Sequence, residues 1–106
     1  MRMYRSVFFL LIFVLCSSFP ALAEDPEARA RRLMNALGCK ACHNFEKSGS
    51  TLAPTLDRIG TRLNLDQLQE KITNHRKGKA ESFMPSYATT SEEDLNDILQ
   101  FLAAHK

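Results

Sequence analysis

The chain has 106 residues, one quarter of them charged, and a formal net charge of +2. That length allows one small domain. Beyond residue 23 there are 12 basic and 12 acidic side chains, so the basic footprint of a nucleic-acid binder is absent. There are no repeats, no low-complexity tract and no interdomain linker.

The N-terminus has three parts. Arg2 and Arg5 precede an apolar run, Val7 to Cys16, and a small-residue stretch ends Ala21-Leu22-Ala23. That is the layout of a secretory signal peptide with an A-x-A cleavage site. The run is well short of the roughly 20 residues that span a bilayer. Residues 1–23 are therefore expected to be a cleaved signal and 24–106 the exported domain, periplasmic and without a stable membrane anchor. An uncleaved anchor is disfavoured by Pro20 and its small neighbours. A lipoprotein anchored through Cys16 is disfavoured by Leu15, where a small residue is expected. Cleavage removes Cys16 and leaves two cysteines, Cys39 and Cys42.

The first predicted helix covers about Pro26 to Leu37. Pro26 suits its first turn and Gly38 its stop. Ala30, Leu33, Met34 and Leu37 recur at helical spacing, so they form its apolar stripe. Arg29, Arg31 and Arg32 read as its solvated face.

Next comes Cys39-Lys40-Ala41-Cys42-His43, the spacing of a c-type haem attachment site. Two thiols separated by two residues match two vinyl groups, and the adjoining imidazole is then held where it ligates iron. A zinc site would need a further ligand; there is no second Cys-x-x-Cys pair, and nothing pairs His75 with His105. A dithiol redox site is expected after a strand, whereas this motif follows a helix. Two cysteines in an exported protein would ordinarily form a disulfide. Placed before His43, they have haem as their partner instead, and c-type haem is attached after export.

Asn44 to Thr61 reads as a loop, and no convincing strand appears anywhere. Within it, Leu52-Ala53-Pro54-Thr55-Leu56 offers the carbonyl of Pro54 as an acceptor for the second ring nitrogen of His43. An ordinary turn proline is the alternative. A second helix is predicted from Leu65 or Asp66 to His75, with Leu65, Leu68 and Ile72 inward and Asn64 or Asp66 as cap.

Lys77 to Thr90 reads as a second loop. It carries Met84, the best candidate for the second axial ligand, 41 residues after His43 in Ser82-Phe83-Met84-Pro85. Pro85 stiffens that loop and disfavours helix at Met84. Met34 is better explained by core packing, and His105 lies at a frayed end. His75 would give bis-His ligation. The plainer alternative makes Met84 and Phe83 core filler. The third helix opens on Ser91-Glu92-Glu93-Asp94, which has the form of a capping box, and its apolar face is Leu95, Ile98, Leu99 and Leu102 with Phe101 at the edge.

Taken together, these blocks resemble the small single-haem class I cytochromes c of bacteria, over essentially the whole region after the signal. Gly38 to His43 resembles the haem-binding box, Ala53-Pro54-Thr55-Leu56 the proline loop, and Ile59-Gly60-Thr61-Arg62 the segment after it. Met84-Pro85-Ser86-Tyr87 and the acidic start of the last helix resemble the ligand-methionine loop and C-terminal helix. The resemblance implies an all-α fold of about three main helices around one covalent haem c. The terminal helices would cross at near right angles, with Ala30 and Phe101 at the contact. Met34 departs from the aromatic often found in the first helix. It also implies thioethers at Cys39 and Cys42, axial ligands His43 and Met84, and Pro54 orienting His43. Arg62 and Arg58 are rival partners for a haem propionate.

The expected role is a monomeric electron carrier, not an enzyme, that meets donor and acceptor proteins transiently. Lys40, Lys47, Arg76, Lys77 and Lys79 would ring the exposed haem edge and steer acidic partners, unless they are simply solvated. At high pH, Lys77 or Lys79 would replace Met84. The alternatives are a haem c subunit of a larger oxidoreductase, or a gas-binding sensor or enzyme with an open iron.

Overall fold

The computed structural model describes residues 20–74 and 84–106. Most of the signal segment, His75, Arg76, Lys77, Lys79 and Phe83 lie outside the described residues. Among the described residues there are three α-helices: α1 (Pro26–Ala36), α2 (Leu65–Thr73) and α3 (Glu92–Ala104). None is long and apolar enough to cross a membrane.

Helix α1 begins where the Asp25 carboxylate accepts the Ala28 N–H at 3.0 Å, filling one of the donors that every helix start leaves free. Pro26 occupies its first position. It stops at Leu37, because Gly38 takes a left-handed conformation (φ +75°) that side chains disfavour and glycine does not. Its apolar stripe is buried at Ala30, Leu33 and Met34. That stripe packs on α3, which buries Leu95, Ile98, Leu99, Phe101 and Leu102. The absence of a side chain beyond Cβ at Ala30 suits close approach of the two helices.

The full capping box lies at α2. Asn64 accepts the Gln67 N–H at 2.9 Å, and the Gln67 side chain accepts the Asn64 N–H at 3.0 Å. The sequence reading placed that motif at α3 and did not use Gln67. At α3, Ser91 does accept the Asp94 N–H, but the Asp94 carboxylate is taken by Arg29 at 2.6 Å. Helix α2 ends at Thr73 with Asn74 as its C-cap, and buries Leu68 against the rest of the core.

Four sequence expectations are corrected. Asn44 to Thr61 is not all loop: Asn44–Phe45 and Ser48–Gly49 pair antiparallel as a two-residue hairpin, β1 and β2. Its turn residues Glu46 and Lys47 have φ of 50° and 61°, the left-handed pair that such hairpins need. Neither is the usual Asn or Gly, so the pattern was invisible. External bonds hold the turn: Asp57 accepts the Glu46 N–H at 3.0 Å, and Arg31 grips the Glu46 carboxylate.

Within the same stretch, Ile59–Thr61 is a short 3₁₀ turn rather than loop, and another such turn lies at Cys39–Ala41. The three arginines of α1 are not merely a solvated face: Arg32 is exposed, but all three are ion-paired. Arg29 reaches Glu93, Asp94 and Asp97 of α3; Arg31 bonds Glu46 and lies 4.9 Å over the Phe101 ring; Arg32 pairs with Glu24. A guanidinium's long stem lets it leave its own helix and meet these partners.

Finally, His105 is not frayed. Its ring sits 4.8 Å from Phe45 and 5.3 Å from Phe101, and its carbonyl accepts the Gly60 N–H. Gly60 is required there, since a Cβ would strike the Ala103 carbonyl.

Candidate functional site

The site grows from the end of α1. After the left-handed Gly38, the chain tightens into the Cys39–Ala41 turn. The Ala41 N–H donates to the Gly38 carbonyl at 3.0 Å, and the Cys42 and His43 N–H groups both donate to the Cys39 carbonyl. Both thiols and the imidazole are therefore carried on one turn fixed by its own backbone. The two cysteines are half-buried and unpaired. Burial pushes the Cys39 thiol pKa up.

A second layer backs this turn. Ser50 N–H donates to the Lys40 carbonyl, Ala53 N–H to that of Cys42, and Leu56 N–H to that of Asn44. Gly49, at φ +112°, passes so near the His43 carbonyl that a Cβ would collide with it. This loop brings Pro54 to His43.

The Pro54 carbonyl lies 2.6 Å from Nδ1 of His43. A carbonyl only accepts, so Nδ1 donates and carries the proton. In a neutral imidazole Nε2 then holds the free lone pair, the form a metal ligand needs. Thr55 extends the same arrangement: its hydroxyl donates to the Asn44 carbonyl at 3.1 Å. Arg62 donates through Nη2 to the Thr55 and Asp57 carbonyls. Arg58 is exposed.

Met84 is half-buried, on an irregular strap before α3. The Ser86 hydroxyl donates to the Thr73 carbonyl, and the Tyr87 N–H to that of Ile72 at 3.0 Å, so the strap hangs from the end of α2. Its tie to the cysteine turn is the Tyr87 hydroxyl, which donates to the Leu37 carbonyl at 3.0 Å. Burial first, then the nearby Cys39 and Cys42, push the Tyr87 phenol pKa up. Sequence reasoning assigned Tyr87 no role. The signal was there, since it is the chain's one tyrosine beyond Tyr4, and a buried phenol needs a partner. Met34, the competing thioether, is 1% exposed within the core.

These groups fit a covalently held macrocycle. Two free thiols flank a turn, an oriented imidazole follows, and among the described residues no three His, Cys, Asp or Glu converge on one ion. The arrangement defines a covalent-haem protein of the small helical kind. The family model described as cytochrome c matches residues 27–106. The chain belongs to that family, whose members bind covalent c-type haem and transfer electrons. No curated protein and no solved structure matches it.

Proposed function

We propose that the domain from Glu24 onward is a periplasmic, single-haem electron carrier released from a signal peptide of residues 1–23. Cys39 and Cys42 form the thioethers, and His43 and Met84 are the axial ligands. The observation that carries this reading is the short contact from His43 Nδ1 to the Pro54 carbonyl. It fixes tautomer and ring orientation in advance, so little needs to rearrange about the ligand.

When bound, the haem supplies one-electron chemistry at its iron. The chain's own residues do the rest. Pro54 holds the His43 proton on Nδ1. Met84 would offer the iron a neutral thioether at the remaining position, which would raise the potential relative to a second imidazole. That filled position is why we read the protein as a carrier rather than an enzyme or gas sensor.

Leu52 is 82% exposed on the loop that carries Pro54. Among the described residues from Glu24 onward it is the one large apolar side chain so exposed, and one such side chain is no patch, which favours brief encounters by a monomer over permanent burial in a larger complex. Lys47 is exposed and Lys40 half-buried nearby in sequence, available to steer an acidic partner.

The test is the visible spectrum of the exported, purified protein in both oxidation states. Covalent haem, a low-spin ferrous spectrum and a weak far-red sulfur-to-iron band in the ferric form that vanishes in Met84→Ala are expected. A high-spin spectrum that shifts with carbon monoxide would overturn the carrier reading. A preparation without covalent haem would overturn the site assignment itself.

A further inference from the structure

Among the described residues, the Met84 strap has few attachments. From Met84 to Thr90 it has no helix or strand, and its bonds to the rest of the described residues come from Ser86 and Tyr87. Two of them reach only α2. The Tyr87 hydroxyl alone crosses to the haem-box side, meeting the Leu37 carbonyl at 3.0 Å. Leu37 is the C-cap of α1, so its carbonyl is among those a helix leaves without an internal partner. The bond thus satisfies an end of α1 and a half-buried phenol at once. It also joins the strap to the segment two residues before Cys39.

We infer that Tyr87 is a positioning residue, whose hydroxyl clasps the Met84 strap to the end of α1 and thereby sets how readily Met84 yields its place to an incoming ligand. The inference rests on the reading of Met84 as axial ligand. Only Pro85 and Ser86 separate Met84 from Tyr87, and Pro85 has a fixed φ. Lifting Met84 therefore strains the Tyr87 bond, and loss of the bond raises the fraction of molecules with the strap open. An added ligand that binds only the open form gains apparent affinity by that same factor.

The test compares imidazole binding to the ferric holoprotein in wild type, Tyr87→Phe, Met84→Ala and the double variant, followed by loss of the far-red band or by the shift of the visible maximum. The Phe variant removes one oxygen atom and keeps the ring packed. Loss of one neutral hydrogen bond predicts imidazole binding about fivefold tighter in Tyr87→Phe than in wild type. In the Met84→Ala background, where there is no thioether to displace, the same substitution is expected to change nothing.

Equal affinity in wild type and Tyr87→Phe would overturn the clasp and leave the bond a purely structural one. A fivefold change that persists without Met84 would also overturn it, because Tyr87 would then act on the pocket directly. Failure of the underlying reading looks different: the wild type itself would lack the far-red band, and Met84→Ala would leave its spectrum unaltered.

Discussion

The two sides of the site are built unlike each other. On the near side, His43 stands on a turn closed by its own backbone, backed by three further main-chain bonds and an oriented acceptor at Pro54. Arg62, Thr55 and Asp57 brace that loop in turn. On the far side, Met84 lies on an irregular strap that, among the described residues, is held through Ser86 and Tyr87. Redundant bonding makes a position insensitive to any one loss, whereas sparse bonding concentrates the opening free energy in single contacts. With His43 and Met84 as the proposed ligands, His43 should therefore fail only when the domain unfolds, and Met84 should fail first and alone.

The largest expected effect is in the near-side scaffold. Phe45 is fully buried in β1, edge-on to Phe101 at 5.7 Å. Phe45→Ala should destabilise the holoprotein by about 4 kcal/mol in denaturant unfolding, while the molecules still folded keep the far-red band. Loss of the far-red band without loss of stability would break the comparison.

Gly49→Ala comes next. The new Cβ meets the His43 carbonyl at a backbone angle that alanine disfavours, so about 3 kcal/mol of stability should go. An unchanged unfolding midpoint would show that the loop behind His43 is looser than described.

Ser86→Ala tests the far side. It removes one exposed hydrogen bond to Thr73, so unfolding should change by only about 0.5 kcal/mol. Imidazole should nevertheless bind measurably more tightly. A large loss of global stability with unchanged imidazole binding would place the strap in the cooperative core instead.

The smallest effect is that of acid. The Arg31 guanidinium holds the Glu46 carboxyl below its ordinary pKa, and Arg29, then Ser91, do so for Asp94. Folded-state pKa values below the unfolded ones give stability that is present at neutral pH and lost as pH falls through them. The decline should begin near pH 4.5, the ordinary value of a glutamate. Because both carboxylates are partly exposed, it should be shallow. Arg31→Gln should flatten it in unfolding midpoints measured between pH 7 and pH 3; an unaltered slope would remove Glu46 as a contributor.

Much of this was legible from residues alone. The haem box, the three helices, the stop at Gly38, the cap at Ser91 and the inward stripes are local patterns in which each residue's own chemistry decides. The Pro54 acceptor was named from sequence because a ligating histidine needs one. Less legible were features that depend on partners distant in the chain. The turn at Glu46 and Lys47 exists because Asp57 and Arg31 hold it. Arg29, Arg31 and Arg32 look solvated until their partners on α3, at Glu46 and at Glu24 fold beside them. Tyr87 took no role because its acceptor lies 50 residues earlier. The end of α1 gave no sign that its carbonyl was waiting for a phenol.

One measurement tests the contrast between the two sides most directly. The ferric holoprotein is heated while the far-red sulfur-to-iron band and the helical circular dichroism are followed on the same sample. The account predicts that the band disappears at a distinctly lower temperature than the helices, with haem still low-spin or freshly open but the fold intact. Coincident loss of band and helix would contradict it, because the Met84 strap would then be as firmly built as the turn that carries His43.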